Sequence, residues 1–69
     1  MKNIKIYIGK VIKNLSNSMF LVQVKNKEIV CYISGKIRIN YIRIMNGDKV
    51  KIEVDSKNEN KGRIIYRIK

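Results

Sequence analysis

Regular alternation of apolar and charged residues is the feature that most restricts how this chain can fold. In the segment KVKIEV, residues 49–54, Val50, Ile52 and Val54 occupy every second position, and charged residues fill the positions between them. Because successive side chains of a β-strand point to opposite faces of the sheet, this pattern predicts a strand with one buried and one exposed face.

The same period occurs in four other segments, which are separated by short polar or glycine-containing breaks. A glycine inside the first segment, Gly9, predicts a bulge or a sharp bend. The polar break at 25–27 predicts a hairpin between the second and third strands, and 55–61 is predicted to be a polar loop. The predicted strands cover residues 4–12, 19–24, 28–33, 49–54 and 62–69.

The last strand has a clear two-sided pattern. We expect one face to carry Ile64, Tyr66 and Ile68, and the other to carry Arg63, Ile65 and Arg67.

A chain of 69 residues forms one small domain, covering residues 1–69. Five short strands with a longer connection between the third and fourth fit an all-β, closed barrel, which leaves no exposed sheet edge. One cysteine and no histidine exclude an internal disulfide and any ordinary metal cluster, so we expect no cofactor. Cys31 lies in an apolar run, and we interpret it as a buried structural residue.

The longer connection, ISGKIRINYIRIMNGDKV at 33–50, allows two interpretations. Its KIRI segment alternates like a strand, but a short helical turn explains more of the pattern. In a helix, Ile37, Tyr41 and Ile44 fall on one side at spacings of four and three. Lys36, Asn40 and Arg43 fall on another side. We therefore expect an apolar underside that covers the barrel and a cationic outer side.

The charge balance restricts the partner. Sixteen Lys and Arg against five Asp and Glu give a net charge of +11, with a pI near 10.1. An excess of this size on a small domain indicates a polyanionic partner, such as nucleic acid or an anionic membrane surface. No apolar run approaches the ~20 residues of a membrane span, and no signal peptide is evident. We expect a soluble intracellular protein without membrane contact.

The residue usage also suggests a source. The chain has no Ala, Thr, Pro, His or Trp, and it is rich in Ile, Lys and Asn, whose codons are rich in A and T. We therefore infer a strongly A/T-rich coding sequence.

Several motifs together resemble those of bacterial-type translation initiation factor one. They are MF at 19–20, ISGKIR at 33–38, YIRI at 41–44, GDKVKIEV at 47–54 and KGRIIYR at 61–67. The resemblance covers most of the chain from Gly9 onward, and KIEV and GRIIYR look more like the plastid form. Together with the A/T-rich residue usage, the resemblance implies the stroma of a plastid (chloroplast or apicoplast) or the cytoplasm of an A/T-rich bacterium. The sequence departs from the family's pattern at Ser16-Asn17, Asn46 and Lys57-Asn58.

The resemblance implies a five-stranded Greek-key barrel of the oligonucleotide-binding (OB) type. It also implies binding to rRNA of the small ribosomal subunit, in the aminoacyl-tRNA (A) site, together with initiation factors two and three. We expect a monomer. For the first strand, hydrophobicity alone would place Ile4, Ile6 and Ile8 inward, whereas the resemblance places Tyr7, Gly9 and Val11 inward. We follow the resemblance.

The resemblance also selects candidate RNA-binding residues. RNA is contacted mainly at phosphates, 2′-hydroxyls and unstacked bases, for which Arg and Lys on rigid elements are suited. The matching motif positions lie in the connection and in the fifth strand, and Asn40 could donate to a base or ribose. Tyr41 could stack on a base, although its spacing favours a role in the barrel core. The candidate set is Lys36, Arg38, Asn40, Arg43, Lys61, Arg63 and Arg67.

Three alternatives to an initiation factor were weighed. A general single-stranded RNA binder or chaperone of the cold-shock type comes second, because such proteins display an aromatic-rich sheet face and only 7% of this chain is aromatic. A structural ribosomal protein would share the charge. An enzyme is the weakest alternative, since there is no histidine, no paired acids and no phosphate loop.

Overall fold

The computed structural model describes residues 3–16, 18–35, 37 and 43–68. Within them the chain forms five strands that close into a barrel, in the order β1-β2-β3-β5-β4 and back to β1. The strands are β1 (Ile4–Asn14), β2 (Met19–Val24), β3 (Lys27–Ile33), β4 (Lys49–Asp55) and β5 (Asn58–Ile68). The all-β five-stranded barrel predicted from the alternating pattern is confirmed.

Strand pairing follows from the short connections. β2 and β3 form the predicted hairpin, and every neighbouring pair is antiparallel except β3 and β5, which run parallel. A parallel pair needs a crossing connection, which is supplied by the long segment between β3 and β4 together with β4 itself. In the part of the chain that the structure describes, no helix has the length and apolarity to cross a membrane.

The core lies inside the barrel and is built almost entirely of β-branched residues, which pack well on a pleated surface. Ile37 and Ile44, from the connection, are 1% and 7% exposed and belong to this core, as the helical pattern predicts. Gly35 and Ile37 have helical backbone. The third predicted underside residue, Tyr41, lies outside the described residues. The core consists of Val11, Phe20, Val22, Val24, Ile29, Cys31, Ile37, Ile44, Val50, Ile52, Val54 and Ile64.

In β1, the residues that the resemblance places inward do face the inside of the barrel. Val11 is fully buried, Gly9 is buried, and Tyr7 packs against the core. Ile4, Ile6 and Ile8, which hydrophobicity alone would have chosen, lie outside and are 44%, 49% and 59% exposed.

Of the two alternatives predicted for Gly9, the bulge was wrong. It pairs regularly with Val50, and the irregularity in β1 lies instead between Val11 and Lys13. Gly9 is needed for close packing: a Cβ atom there would lie 2.6 Å from Val22 Cγ1 and 2.8 Å from the carbonyl oxygen of Gln23.

The fifth strand differs from its predicted pattern at both ends. β5 begins at Asn58, because the connection after β4 is only a tight turn in which the Lys57 N–H donates to Asp55 Oδ1 at 2.9 Å. Further along, Lys51 pairs with Tyr66 while Ile52 pairs with Ile64, so an extra residue is accommodated in β5. This bulge reverses the alternation after Ile64.

The prediction that Tyr66 shares the face of Ile64 was therefore wrong. Tyr66 is 58% exposed, whereas Arg67 pairs with the buried Val50 and lies on the same side of the sheet as that residue. Directly paired residues of an antiparallel ladder point to one face, so Arg63 and Arg67 do not share a face either.

Candidate RNA interface

Two candidate arginines meet at one end of the barrel. Arg67, near the end of β5, donates from Nη1 to the backbone carbonyl oxygen of Arg43 at 2.9 Å. Arg43 belongs to the connection before β4 and its side chain is exposed, while Arg67 is half-buried. The structure therefore joins the Arg67 side chain to the backbone of a second candidate arginine, 24 positions away in the chain.

The start of the connection is fixed by Ser34, which is 7% exposed. Its Oγ accepts a hydrogen bond from the Ile37 N–H at 3.3 Å, and its own N–H donates to the Ile64 carbonyl at 3.0 Å. The first contact is that of a helix N-cap, which satisfies a backbone donor of the first turn. We did not select Ser34 from the sequence, although a serine directly before a helical pattern is a recognised start signal.

The end of the connection is anchored on β1. Val11 donates its N–H to the Asp48 carbonyl at 2.9 Å and accepts from the Gly47 N–H at 2.7 Å. Gly47 has a φ of 95°, a left-handed conformation that glycine adopts without strain. The Asp48 carboxylate also accepts from the Met45 N–H at 2.9 Å. These bonds hold the backbone two residues after Arg43, so Arg43 is placed by a rigid turn.

The other described candidates lie on the outer surface of β5, away from Arg43. Lys61 is exposed and pairs with Val30, and Arg63 pairs with Glu53 on one side and Tyr32 on the other. Arg63 donates from Nε and Nη2 to one oxygen of Glu53, and this contact raises the pKa of the guanidinium. Arg63 is thus held flat on the sheet rather than extended into solvent.

The candidate set therefore divides into two groups. Arg43 and Arg67 form one group at the barrel end, and Lys61 and Arg63 form another on the outer face of the sheet. The remaining candidates, Lys36, Arg38 and Asn40, lie outside the described residues.

Glu59 is engaged in a cluster of local contacts. Glu59 binds Lys5 at 3.4 Å and Lys27 at 3.7 Å, and it accepts from the Tyr7 hydroxyl at 3.3 Å. The hydrogen bond and charge of Lys5 lower the pKa of the Glu59 carboxyl. Glu59 lies at the start of β5, near the beginning of β1, whereas the carboxylate beside Arg67 at the other end of the barrel is that of Asp48.

Cys31 is a structural residue, as its apolar context predicts. It has no exposed surface, and burial raises the pKa of its thiol to about 12. A thiol of that kind is neither a nucleophile nor a metal ligand at physiological pH. Among the residues that the structure describes, no three His, Cys, Asp or Glu side chains are grouped as a metal site would require.

Comparison with known families covers nearly the whole chain. The family model described as translation initiation factor 1A / IF-1 matches residues 2–69. The chain belongs to this family. The resemblance seen in the motifs of the connection and the fifth strand is thereby confirmed.

The chain is similar to several proteins named translation initiation factor IF-1, chloroplastic. It is 46% identical to the Glycine max protein over 93% of this chain and 47% of that one, and 52% identical to the Solanum lycopersicum protein over 88% and 40%. The chain thus spans less than half the length of these two relatives. It is also 48% identical to the Dioscorea elephantipes protein, over 93% of this chain and 84% of that one.

Solved structures share the fold. The solution structure of translation initiation factor one from the Wolbachia endosymbiont of Brugia malayi matches with a TM-score of 0.77 and 40% identity, covering 96% of this chain and 79% of that one. YjeQ from Thermotoga maritima also matches with a TM-score of 0.77, at 27% identity, over 94% of this chain but only 23% of that protein. The barrel is therefore of the OB type that the resemblance implied.

Proposed function

We propose that the protein is a translation initiation factor that binds rRNA of the small ribosomal subunit in the A site, together with initiation factors two and three. Membership of the IF-1 family supports this function. The structural observation that supports an RNA contact is the hydrogen bond from the Arg67 side chain to the Arg43 backbone. It lies at the end of the barrel where the connection leads into β4.

In the proposed mechanism the protein occupies the A site and does not catalyse a reaction. Arg67 uses one donor to hold the Arg43 backbone, which leaves its other N–H groups for an acceptor on RNA. The exposed Arg43 guanidinium can grip a phosphate at two points or stack on an unpaired base. Both arginines are carried by hydrogen-bonded backbone, so the positions from which their side chains extend are set before binding. We propose that the protein acts without covalent chemistry and is not an enzyme.

We further propose that the protein acts in a plastid. The chloroplastic relatives at 46–52% identity support this placement, as does the A/T-rich residue usage. We propose that the molecule binds the subunit as a monomer, because a closed barrel leaves no free strand edge for pairing with a second copy.

Competition for the A site tests the proposal. Labelled protein bound to isolated small subunits is displaced with aminoacyl-tRNA, and the rRNA is footprinted in the same samples. We expect displacement and protection of A-site nucleotides. Replacing both Arg38 and Arg43 with Lys keeps the charge but removes the planar guanidinium, and should weaken subunit binding by about 1–3 kcal/mol.

The matched control removes a charge at the opposite end of the barrel. Lys57 lies in the exposed turn between β4 and β5, and Lys57→Gln should leave subunit binding nearly unchanged. For wild type, a log-log plot of affinity against salt should fall with a slope of about −0.7 to −0.9 per neutralised phosphate. Binding that is insensitive to salt and to aminoacyl-tRNA would refute an A-site RNA contact.

A further inference from the structure

We propose that the outer face of β3, β4 and β5 is a second RNA-binding surface, on which unpaired nucleotides stack on Tyr66 and Tyr32. This proposal rests on the proposed function only in taking RNA as the class of partner. It concerns a different face of the barrel from the end at which Arg43 and Arg67 meet.

Tyr66 is presented to solvent by the bulge in β5. Its side chain is 58% exposed, and its partner across the ladder is Lys51, whose Nζ lies 6.0 Å from the centre of the ring. A ring fixed on a sheet is a platform for a base, and a neighbouring ammonium group can hold the attached phosphate. The Lys51 ammonium lies over one face of the ring in the free protein, so a base stacks on that face as the ammonium moves aside to the phosphate. Tyr66 and Lys51 then supply a stacking contact and a charge contact to one nucleotide.

Tyr32 repeats this arrangement on the adjoining strand. It is 46% exposed, and its neighbour across the parallel β3–β5 ladder is Arg63. Because Glu53 holds the Arg63 guanidinium from the side, the group stays on the surface of the sheet. The second site thus also pairs an exposed ring with a fixed cation.

A depression of about 320 Å³ lies beside Tyr32. Its walls include the tyrosine ring, the cations Lys61 and Arg63, the Asn58 amide and the Asp55 carboxylate. An aromatic wall suits the face of a base, while amide and carboxylate groups can bond to the polar edge of a base, and cations suit the phosphate. The lining therefore has a counterpart for each part of a nucleotide.

The two tyrosines lie on neighbouring strands of the sheet. Tyr66 is on β5 and Tyr32 is on β3, which pairs directly with β5, and Arg63, the ladder neighbour of Tyr32, is on the same strand as Tyr66. Two bases of one extended RNA strand, separated by at least one nucleotide, could occupy both rings. Ile6 and Ile8 continue the exposed surface on β1 and would fit an apolar protein partner, but the cations beside both rings favour a polyanion.

The test separates base stacking from attraction by charge. A short fluorescent oligoribonucleotide and an abasic oligomer of equal length carry the same phosphates, and binding is measured by anisotropy at one fixed salt concentration. We expect Tyr66→Leu and Tyr32→Leu each to lose about tenfold in affinity for the normal oligomer. Neither variant should change the affinity for the abasic oligomer, because the substitution leaves the net charge of the protein unchanged and retains an apolar side chain at the position.

Two controls complete the design. Tyr66→Phe keeps the ring and should bind the normal oligomer like wild type, whereas Lys61→Gln should weaken both oligomers to the same extent. Since both tyrosines are exposed, circular dichroism should show all variants folded. Equal affinity of the leucine variants and wild type for the normal oligomer would overturn the proposal and leave this face to a protein partner.

The outcome is independent of A-site binding. Loss of base-dependent binding in Tyr66→Leu with wild-type displacement from small subunits by aminoacyl-tRNA supports both proposals as separate contacts. Failure of the wild type to bind small subunits, with base-dependent binding intact, would overturn the proposed function and support the stacking surface.

Discussion

The Arg67 side chain donates a hydrogen bond to the backbone carbonyl oxygen of Arg43 at 2.9 Å. The bond joins the last strand of the barrel to the connection that precedes β4. The acceptor is a backbone oxygen, so the bond fixes the path of the connection at Arg43 and leaves the exposed Arg43 guanidinium available to an anion. Arg67 therefore has two roles in the proposed interface, as a direct donor to RNA and as a support for Arg43.

These two roles can be separated with a double-mutant cycle. Arg43→Ala removes one guanidinium but keeps the carbonyl that Arg67 binds, whereas Arg67→Ala removes both a guanidinium and the support. We expect Arg67→Ala to weaken small-subunit binding more than Arg43→Ala does. The double variant should lose less than the sum, with a coupling of about 0.5–3 kcal/mol. Strict additivity would show that the two arginines act independently.

Ser34 caps the helical start of the connection, and its replacement should lower both folding stability and affinity for the small subunit. Ser34→Ala leaves the Ile37 N–H without its acceptor and should lower the free energy of unfolding by about 1 kcal/mol in urea denaturation. Subunit binding should weaken as well, because the cap positions the cationic segment. Ser56→Ala is the matched control, since Ser56 is joined to Asn3 through its backbone N–H, which alanine retains.

Gly9 tolerates no side chain. Gly9→Ala would force the new methyl group against Val22 and Val24, at 2.6 and 2.8 Å, and should lower the free energy of unfolding by about 1–3 kcal/mol or more. The comparison variant is Gly35→Ala, where the added methyl meets no described atom within 4 Å and the backbone is helical. That variant should be neutral or slightly stabilising in the same denaturation experiment. Equal stability of the two variants would contradict the packing argument.

The Cys31 thiol should be unreactive in the folded protein. Burial raises its pKa to about 12, so the thiolate that attacks a disulfide reagent is scarcely populated at pH 8. We expect no labelling by an aromatic disulfide reagent under native conditions and rapid labelling in denaturant. Fast native labelling at a rate independent of denaturant would show that the barrel opens around β3.

Glu59 should make stability depend on pH. Its contact with Lys5 lowers the carboxyl pKa in the folded state below the ordinary value of 4.5. The stabilisation is therefore present above pH 4.5 and is lost as the pH falls through the folded-state pKa. The difference in Tm between wild type and Glu59→Gln should be small, since the pair is exposed to solvent, and should vanish in acid.

The control for this pH experiment is Glu28→Gln, which removes an exposed carboxylate of β3 and leaves the contacts of Glu59 in place. The difference in Tm between Glu28→Gln and wild type should not change in step with the loss of the Glu59 contacts as the pH falls. A Glu59→Gln difference that stays unchanged after the Glu59 carboxyl of the folded wild type has been protonated would mean, by the same linkage, that the carboxylate is not the source of the effect.

The strands were predictable because their signal is local. Alternation in 49–54 predicts which residues of β4 are buried, and Val50, Ile52 and Val54 are at most 1% exposed. The net charge likewise predicts a polyanionic partner, and the motifs led to the family that the comparison confirms. Even the burial of Ile37 and Ile44 follows from their helical spacing.

Other features depend on pairing between distant segments. The bulge in β5 arises from its register against β4, and it alone decides that Tyr66 faces solvent and that Arg67 turns toward Arg43. Gly9 is required because Val22 and Val24 of another strand pack over it. The sequence by itself thus determined the strands, the charge and the family, because these depend on residue type and local period. Which cations meet, and which aromatic rings are exposed, was decided by the tertiary structure, since one extra residue in a strand reverses every side chain after it.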